Sequence, residues 1–516
     1  MAEHPTLVEE PSAPSVELGR RVALRAEARM LIDGELVESV TGKRFGNVSP
    51  ATGLVLGSTA AADTHDMDRA IAAARRAFDH TTWSTDRAFR QRCLAQLQSA
   101  LESEQEQLRE ELIAEVGCPI MTTGTAQLDW PLAEALRYPA RLIDEFGWER
   151  VLDGGGLFGE RNVRTVVKEP AGVVGAITPS NFPIEVILNK LGPALATGNT
   201  VVLKPDPNTP WNATRLGRLI AEHTDIPAGV VNVVPTESND VAGRLGADPR
   251  VDLISFTGST AVGKALMRQG ADTMKRMFLE LGGKSALIAL DDANPAALVA
   301  GALGVCVHAG QACASTTRML VHRSLFDEAV AIVTAVFQQV PVGDPVHADT
   351  LVGPVISARQ KQKILDACEQ ARSAGAEILT GGGSFDDLPE HLRGGFYVAP
   401  TVVVGVDNSA AIAREEIFGP VLVIMAFDDD DDAVRLANDS PFGLAGAVLT
   451  RSTERGLSVA RRIRTGAIGV NGGMYYGADA PFGGYKNSGI GRQCGIEGFE
   501  QYLETKTLAV RMPRQK

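Results

Sequence analysis

From Val173 to Glu280 the chain alternates short β-branched runs with amphipathic stretches, and this alternation constrains the fold more than any other feature. Val173 to Ile177, Thr200 to Leu203, Val230 to Val234, Leu253 to Phe256 and a run ending at Glu280 read as buried strands. Helical patterns fall between them, near Ile184 to Ala196, near Trp211 to Glu222, in a short stretch after Val234, and from about Thr260. Strands that are apolar on both faces and separated by crossover helices predict an α/β fold with a doubly wound parallel sheet. The same alternation resumes from Ser285 to about Val470, which predicts a second Rossmann-like α/β domain. The cleft between the two is the expected site.

The 516 residues are enough for several domains. The flanking segments complete the division. Residues 1–28, with Pro5, Pro11 and Pro14 among polar residues, read as a flexible leader. Residues 29–148 and 168–281 form the first α/β domain, and 282–485 the second. Residues 149–167 and 486–516 are a small β arm and tail for oligomerisation. Within the first domain, Asp33-Gly34 between Met30-Leu31-Ile32 and Glu35-Leu36-Val37 predicts a hairpin. Phe89, Cys93, Leu94, Leu97 and Leu101 share one helix face after a Ser84 cap, and a further helix ends at Gly117. The arm from Val151 to Val167 turns at Gly154-Gly155-Gly156, and Tyr502 to Val510 is another β-prone strand. Unpaired edges of this kind predict a homodimer or homotetramer.

Several function classes drop out. With 50 Lys and Arg against 63 Asp and Glu, the net charge of −13 speaks against nucleic acid. The longest uncharged stretch, Ala293 to Thr317, is mostly Ala, Gly and Val with polar interruptions, a buried helix and loop rather than a membrane span. No apolar leader or Arg-rich transit peptide opens the chain, and six cysteines show no CxxC pair, so a cytoplasmic location is expected. Asp428 to Asp432 reads as a helix start favoured by the helix dipole, and no metal motif is found.

Four segments carry chemistry. Gly310-Gln311-Ala312-Cys313 places a thiol on a glycine-containing loop; a lone cysteine there is more often packing. Glu280-Leu281-Gly282-Gly283-Lys284 puts a carboxylate at a strand end, before two glycines that let another group approach. Thr178-Pro179-Ser180-Asn181-Phe182-Pro183 follows the first strand, where the Asn181 amide could face an oxyanion. In Phe256-Thr257-Gly258-Ser259-Thr260-Ala261-Val262-Gly263 a strand turns into a helix whose N-terminal amides suit a pyrophosphate, although the run is not GxGxxG.

Together, in this order and with 33 residues from Glu280 to Cys313, these segments resemble the aldehyde dehydrogenase superfamily. The likeness runs from about Met30 to Val510 and includes Lys204-Pro205, Glu415-Glu416-Ile417-Phe418-Gly419-Pro420 and Pro481-Phe482-Gly483-Gly484-Tyr485-Lys486-Asn487-Ser488-Gly489. The resemblance implies NAD(P)-dependent oxidation of an aldehyde to its acid. Cys313 would form a thiohemiacetal and then a thioester, with the oxyanion held by Asn181 and the Cys313 N–H. Glu280 would activate the hydrolytic water, a carboxylate that relatives using coenzyme A generally lack. For the cofactor it implies Lys204 and Glu416 at ribose hydroxyls and Phe418 at the nicotinamide end. Gly258 and Ser259 would lie at the pyrophosphate, and Thr178, Pro179, Ser180, Thr257 and Leu281 would line the site. Without the family likeness, Lys204 and Glu416 read as surface charges and Phe418 as core.

The chain departs from the family near the cofactor, where Val233 to Asn239 also lacks the usual glycines and Glu237 could repel a phosphate. Ser180 stands where Trp is common, and Pro207 where a ribose-binding Glu is usual. NAD is expected, with NADP the alternative. The resemblance places Phe182, Glu185, Val186, Asn189, Val307, Ala314, Tyr475 and Tyr476 at the substrate tunnel. Asn189 and Val307 are smaller than the usual aromatics, which predicts a wide tunnel for a medium-length, bulky or aromatic aldehyde. His308 is expected to pack or cap rather than to act as a base. The competing readings are a cysteine hydrolase or acyltransferase without hydride transfer, and an inactive scaffold of the same fold.

Overall fold

The computed structural model describes residues 13–152 and 162–512. Its first sheet has eight strands. The predicted five, Val173–Ile177, Thr200–Lys204, Val231–Val233, Leu253–Thr257 and Arg276–Glu280, run parallel. Val173–Ile177 lies between Thr200–Lys204 and Leu253–Thr257, so the connection reverses direction beside it. Thr178 and Gly258 follow these strands on either side of that reversal, where open α/β sheets bind ligands.

The hairpin forms as read. Met30–Ile32 pairs antiparallel with Glu35–Val37, and Asp33 and Gly34 take φ of 56° and 80° in the turn. It joins the sheet through Leu31 opposite Val233. The helix bearing Cys93, Leu94, Leu97 and Leu101 spans Arg87–Ser103 and is capped by Asp86, not Ser84. The Asp86 carboxylate accepts the Phe89 N–H at 2.9 Å, while Ser84 lies two residues upstream. Gly117 caps the following helical segment in the left-handed conformation, as expected.

The second sheet orders seven strands as Glu377–Thr380, Thr401–Val404, Val421–Phe427, Arg318–His322, Ala286–Ala289, Gly446–Leu449 and Gly469–Val470. Glu377–Thr380 is antiparallel and the others are parallel. Its core is rich in small and β-branched residues, from Ala286 through Val423 to Val448. The helix Pro295–Cys306 occupies the uncharged stretch, and no described helix is long and apolar enough to cross a membrane. Asp429 caps the helix Asp430–Asn438, and Asp428, Asp430, Asp431 and Asp432 pair with Arg323, Arg455, Arg462 and Arg435. Among the described residues no His, Cys, Asp and Glu cluster suits a metal.

Three flanking expectations change. The leader is not flexible to residue 28. Pro14–Ala23 is a helix that buries Leu18 and Val22 against Ile113, Ala114 and Trp211, and Ser15 is held by Asp344. Its apolar residues recur at a spacing of four, which the proline content obscured. The arm and tail do not leave all their edges open: Leu503–Arg511 pairs along nine residues with Asn162–Pro170, which pairs in turn with Glu149–Leu152. The triglycine turn lies outside the described residues. The tail also divides, because Gly489–Ile490 joins the first sheet beside Leu279 and Glu280.

Candidate active site

The thiol loop begins with a backbone contortion. His308, Ala309 and Gly310 take φ of 52°, 52° and 70°, directly after the helix Pro295–Cys306. A Cβ on Gly310 would strike the Gly419 carbonyl, so the loop needs glycine there twice over. Left-handed backbone at two non-glycine residues costs about 1–3 kcal/mol each and persists only where the surroundings enforce it. The strained turn delivers Cys313, half-buried, among Leu444, Ala467, Phe482, Ala314, Tyr475 and Tyr476.

Asn181 lies next to that loop. Its side-chain Nδ2 donates to the Gln311 carbonyl at 2.7 Å, and its own carbonyl accepts from Gln127 Nε2 at 2.8 Å. His308 Nε2 is 3.0 Å from the same carbonyl, and the His308 ring packs edge-on against Phe182 at 5.4 Å. Burial lowers the His308 pKa to about 4, so this histidine is a neutral packing group, as expected. The Cys313 N–H has no backbone acceptor among the described residues, which leaves it free to serve an oxyanion.

Glu280 ends its strand opposite Thr257 and Gly489. Both carboxylate oxygens are buried without a partner among the described residues. Burial raises this carboxyl well above its ordinary range, Lys190 and Arg492 pull it down, and Glu185 adds to the rise. Burial, followed by the charges of Glu280, Glu416 and Glu185, holds the Cys313 thiol above its ordinary range. A buried carboxylate without partners is costly, and groups perturbed in this way cluster at functional sites.

The helix Pro183–Thr197 is buried along its whole length. It starts on Pro183, whose missing N–H costs nothing at a first turn, and stops at left-handed Gly198. Glu185, Val186, Asn189 and Lys190, spaced one, four and five apart, share the face turned to the site. Asn189 Nδ2 donates to Glu185 Oε1 at 2.5 Å, and the Tyr476 hydroxyl donates to the same oxygen. Lys190 Nζ donates to Ser255 Oγ at 3.2 Å, and burial lowers its pKa to about 7. Tyr476 packs at a tilt against Trp130 at 5.2 Å and edge-on against Phe482 at 5.1 Å. Sequence reasoning missed Trp130 and Lys190. A lone cation inside an apolar helix was the available signal for Lys190, and Trp130 had none.

Between the two sheets a cleft of about 570 Å³ is lined by Thr260 on one side and by Glu416 and Phe442 on the other. Glu416 Oε1 accepts the Gly283 N–H at 3.0 Å, and a Cβ on Gly282 would collide with the same carboxylate. Among the described residues Thr178 and Thr257 keep buried hydroxyls without partners, and Ser259 caps the helix Thr260–Gly270. Pro179, Ser180, Lys204, Gly258 and Phe418 are half-buried, and Leu281 is buried. Phe418 is itself left-handed, with φ of 59°. Val186 is buried and Val307 half-buried.

The aldehyde dehydrogenase family model matches residues 36–508, nearly the whole described chain. The chain belongs to the aldehyde dehydrogenase family. This aldehyde dehydrogenase is 39% identical over 487 residues to 3-succinoylsemialdehyde-pyridine dehydrogenase of a Pseudomonas species, covering 94% of this chain and 99% of that one. It is 36% identical to aminoacetaldehyde dehydrogenase of Pseudomonas aeruginosa, covering 93% and 95%. Among solved structures, betaine aldehyde dehydrogenase of Staphylococcus aureus in complex with NAD+ superposes with a TM-score of 0.92 at 33% identity, covering 97% and 98%. The dehydrogenase therefore has the two Rossmann-like domains its sequence predicts.

Proposed function

We propose that this enzyme oxidises a medium-length, bulky or aromatic aldehyde to the carboxylic acid with NAD, using Cys313 as nucleophile. The observation that carries this is the Asn181 Nδ2 to Gln311 carbonyl hydrogen bond, which seats an amide donor two residues from the thiol.

As a thiolate, its proton released to water, the Cys313 sulfur forms a bond to the carbonyl carbon, and the C=O electron pair moves to oxygen. Asn181 Nδ2 and the Cys313 N–H hold that oxyanion. Bound NAD supplies the acceptor for the hydride that leaves this carbon. Glu280 then takes a proton from water as the water adds to the Cys313 thioester. The C–S bond breaks, the acid departs, and the thiolate is restored. A carboxylate with a raised pKa is a stronger base, so the burial of Glu280 favours this role.

The residues fit NAD. Thr178 and Thr257 offer hydroxyls unpartnered among the described residues, Ser259 opens a helix of 11 residues, and Glu416 and Lys204 stand ready for hydroxyl groups. The NAD+ complex of the Staphylococcus enzyme supports the choice, and Pro207 keeps NADP as the comparison. The name of the Pseudomonas pyridine semialdehyde enzyme supports an aromatic substrate. The same reading places the enzyme in the cytoplasm as a homodimer or homotetramer built through the three-stranded arm sheet.

Absorbance at 340 nm with a panel of aliphatic, terpenoid and aromatic aldehydes, with NAD and NADP in parallel, tests the proposal. A rise with larger aldehydes and NAD is expected. Turnover confined to acetaldehyde-sized substrates would overturn the tunnel reading. Ester cleavage without any aldehyde oxidation would favour the hydrolase, and silence with an unreactive Cys313 the inactive scaffold.

A further inference from the structure

Gln311 is 1% exposed and engages every polar atom it has. Its Nε2 donates to the His308 carbonyl at 3.3 Å and to the Pro354 carbonyl at 3.4 Å, and its Oε1 accepts the Ile356 N–H at 2.8 Å. Its backbone N–H donates to the His308 carbonyl at 3.1 Å, and its own carbonyl accepts Asn181 Nδ2 at 2.7 Å. His308 Nε2 in turn lies 3.0 Å from the Asn181 carbonyl, so Asn181, Gln311 and His308 close a hydrogen-bond circuit around the left-handed turn that leads to Cys313. The Gln311 side chain anchors that circuit to residues 354–356, which lead into the helix Ala358–Ser373. Gln360 of that helix donates to the Ile417 and Phe418 carbonyls at 2.9 Å each, so the turn at Phe418 has a support of its own. A strained turn keeps its shape only where its surroundings enforce it, and closed polar networks act as a unit.

We infer that Gln311 is a positioning residue for the reaction, holding the Cys313 loop and the Asn181 amide in one geometry through its side-chain amide. The inference rests on the reading of Cys313 as nucleophile and Asn181 as oxyanion donor, and gives a task to a residue which that reading leaves unused. An apolar side chain of similar length would deprive the Pro354 carbonyl and the Ile356 N–H of this partner and let the left-handed turn relax. Gln311 is two positions from the thiol, and a displacement of about 1 Å at reacting atoms costs about 100-fold in rate.

The test is a double-mutant cycle in the full-length enzyme with NAD, reading kcat/KM for the aldehyde of the panel that turns over best. Gln311→Met and the isosteric Gln311→Glu are each expected to lower kcat/KM by about 10- to 100-fold. The dissociation constant of NAD, read by isothermal titration calorimetry without aldehyde, should stay within about twofold, because the support of the Phe418 turn is untouched. In Asn181→Ala protein the same substitutions should cost about threefold or less, since the donor that Gln311 holds in place is already gone. Losses that multiply in the double variants, a kcat/KM within about twofold of wild type for both changes at 311, or NAD affinity that falls in step with kcat/KM would overturn the inference. If neither change at 311 folds, amide hydrogen exchange across residues 308–313 decides. It should quicken about tenfold in Asn181→Ala, and unchanged protection there would overturn the inference. NADH formed by the wild type together with multiplying losses would leave the dehydrogenase reading standing and remove this one. No NADH from any aldehyde of the panel would remove both.

Discussion

Asn181 is hydrogen-bonded through its side-chain amide to the Gln311 carbonyl at 2.7 Å, which ties the turn after one strand of the first sheet to the loop that carries Cys313. The Asn181 amide and the loop that carries Cys313 are thus positioned by each other. Asn181→Ala should lower kcat by about 100- to 1000-fold, the effect of removing one oxyanion donor. Saturating-substrate kinetics, with the melting temperature monitored beside it, checks this. An unchanged kcat would sink the assignment.

Glu280→Gln should separate the two halves of the reaction. Both Glu280 oxygens are unpartnered among the described residues, so the amide fits without breaking an observed hydrogen bond. Acylation should proceed and hydrolysis stall, which gives a rapid burst of about one NADH per subunit followed by turnover slowed about 100- to 10,000-fold. Stopped-flow absorbance at 340 nm reads the burst, and mass spectrometry reads the acyl adduct on Cys313. Cys313→Ser should abolish both.

In the enzyme without cofactor, alkylation of Cys313 should climb with pH and show no plateau up to pH 9. Burial and the nearby Glu280, Glu416 and Glu185 hold its thiol above the ordinary value of 9.0, so the reactive thiolate is scarce at neutral pH and grows as protons are withdrawn. Iodoacetamide rates read by peptide mapping check this. A plateau near pH 7 would contradict it.

Lys284 is buried with no partner for Nζ among the described residues, and burial, helped by the Arg318 charge, lowers its pKa from 10.5 to about 7. Between about 7 and 10.5 the unfolded chain holds a proton here that the folded chain lacks, so stability rises with pH across this window. Lys284→Met should therefore stabilise the fold most near pH 6 and progressively less toward pH 10. Melting temperatures of both proteins from pH 6 to 10 provide the comparison.

Val22→Ala should destabilise the protein by about 2 kcal/mol, the cost of a cavity in a packed cluster. Val22 is fully buried in the contact of Pro14–Ala23 with Trp211. Denaturant unfolding measures it, and a neutral result would return this segment to a loose leader.

Much of the architecture could be read from local pattern. The strands from Val173–Ile177 to Arg276–Glu280 are short apolar runs whose neighbours along the chain are helices, and Asp33-Gly34 announces its own turn. Helix caps were less legible. Asp86 and Ser84 are both competent caps, and only the path of the backbone selects the residue whose side chain reaches an N–H. Cys313, Glu280 and Asn181 were nameable because each belongs to a run distinctive in itself and in its spacing.

By itself, then, the sequence determined the alternation of strands and helices, the turn chemistry, the family and the three residues expected to carry the reaction. These depend on residues a few positions apart, where periodicity and residue type act directly. Tertiary structure alone decided that Leu503–Arg511 pairs with Asn162–Pro170, that Trp130 packs at a tilt against Tyr476, and that the Glu185 charge acts on the Cys313 thiol. Those relationships join residues more than a hundred positions apart. Their register is set by how whole elements pack, and a buried charge shows its cost only once its neighbours are in place.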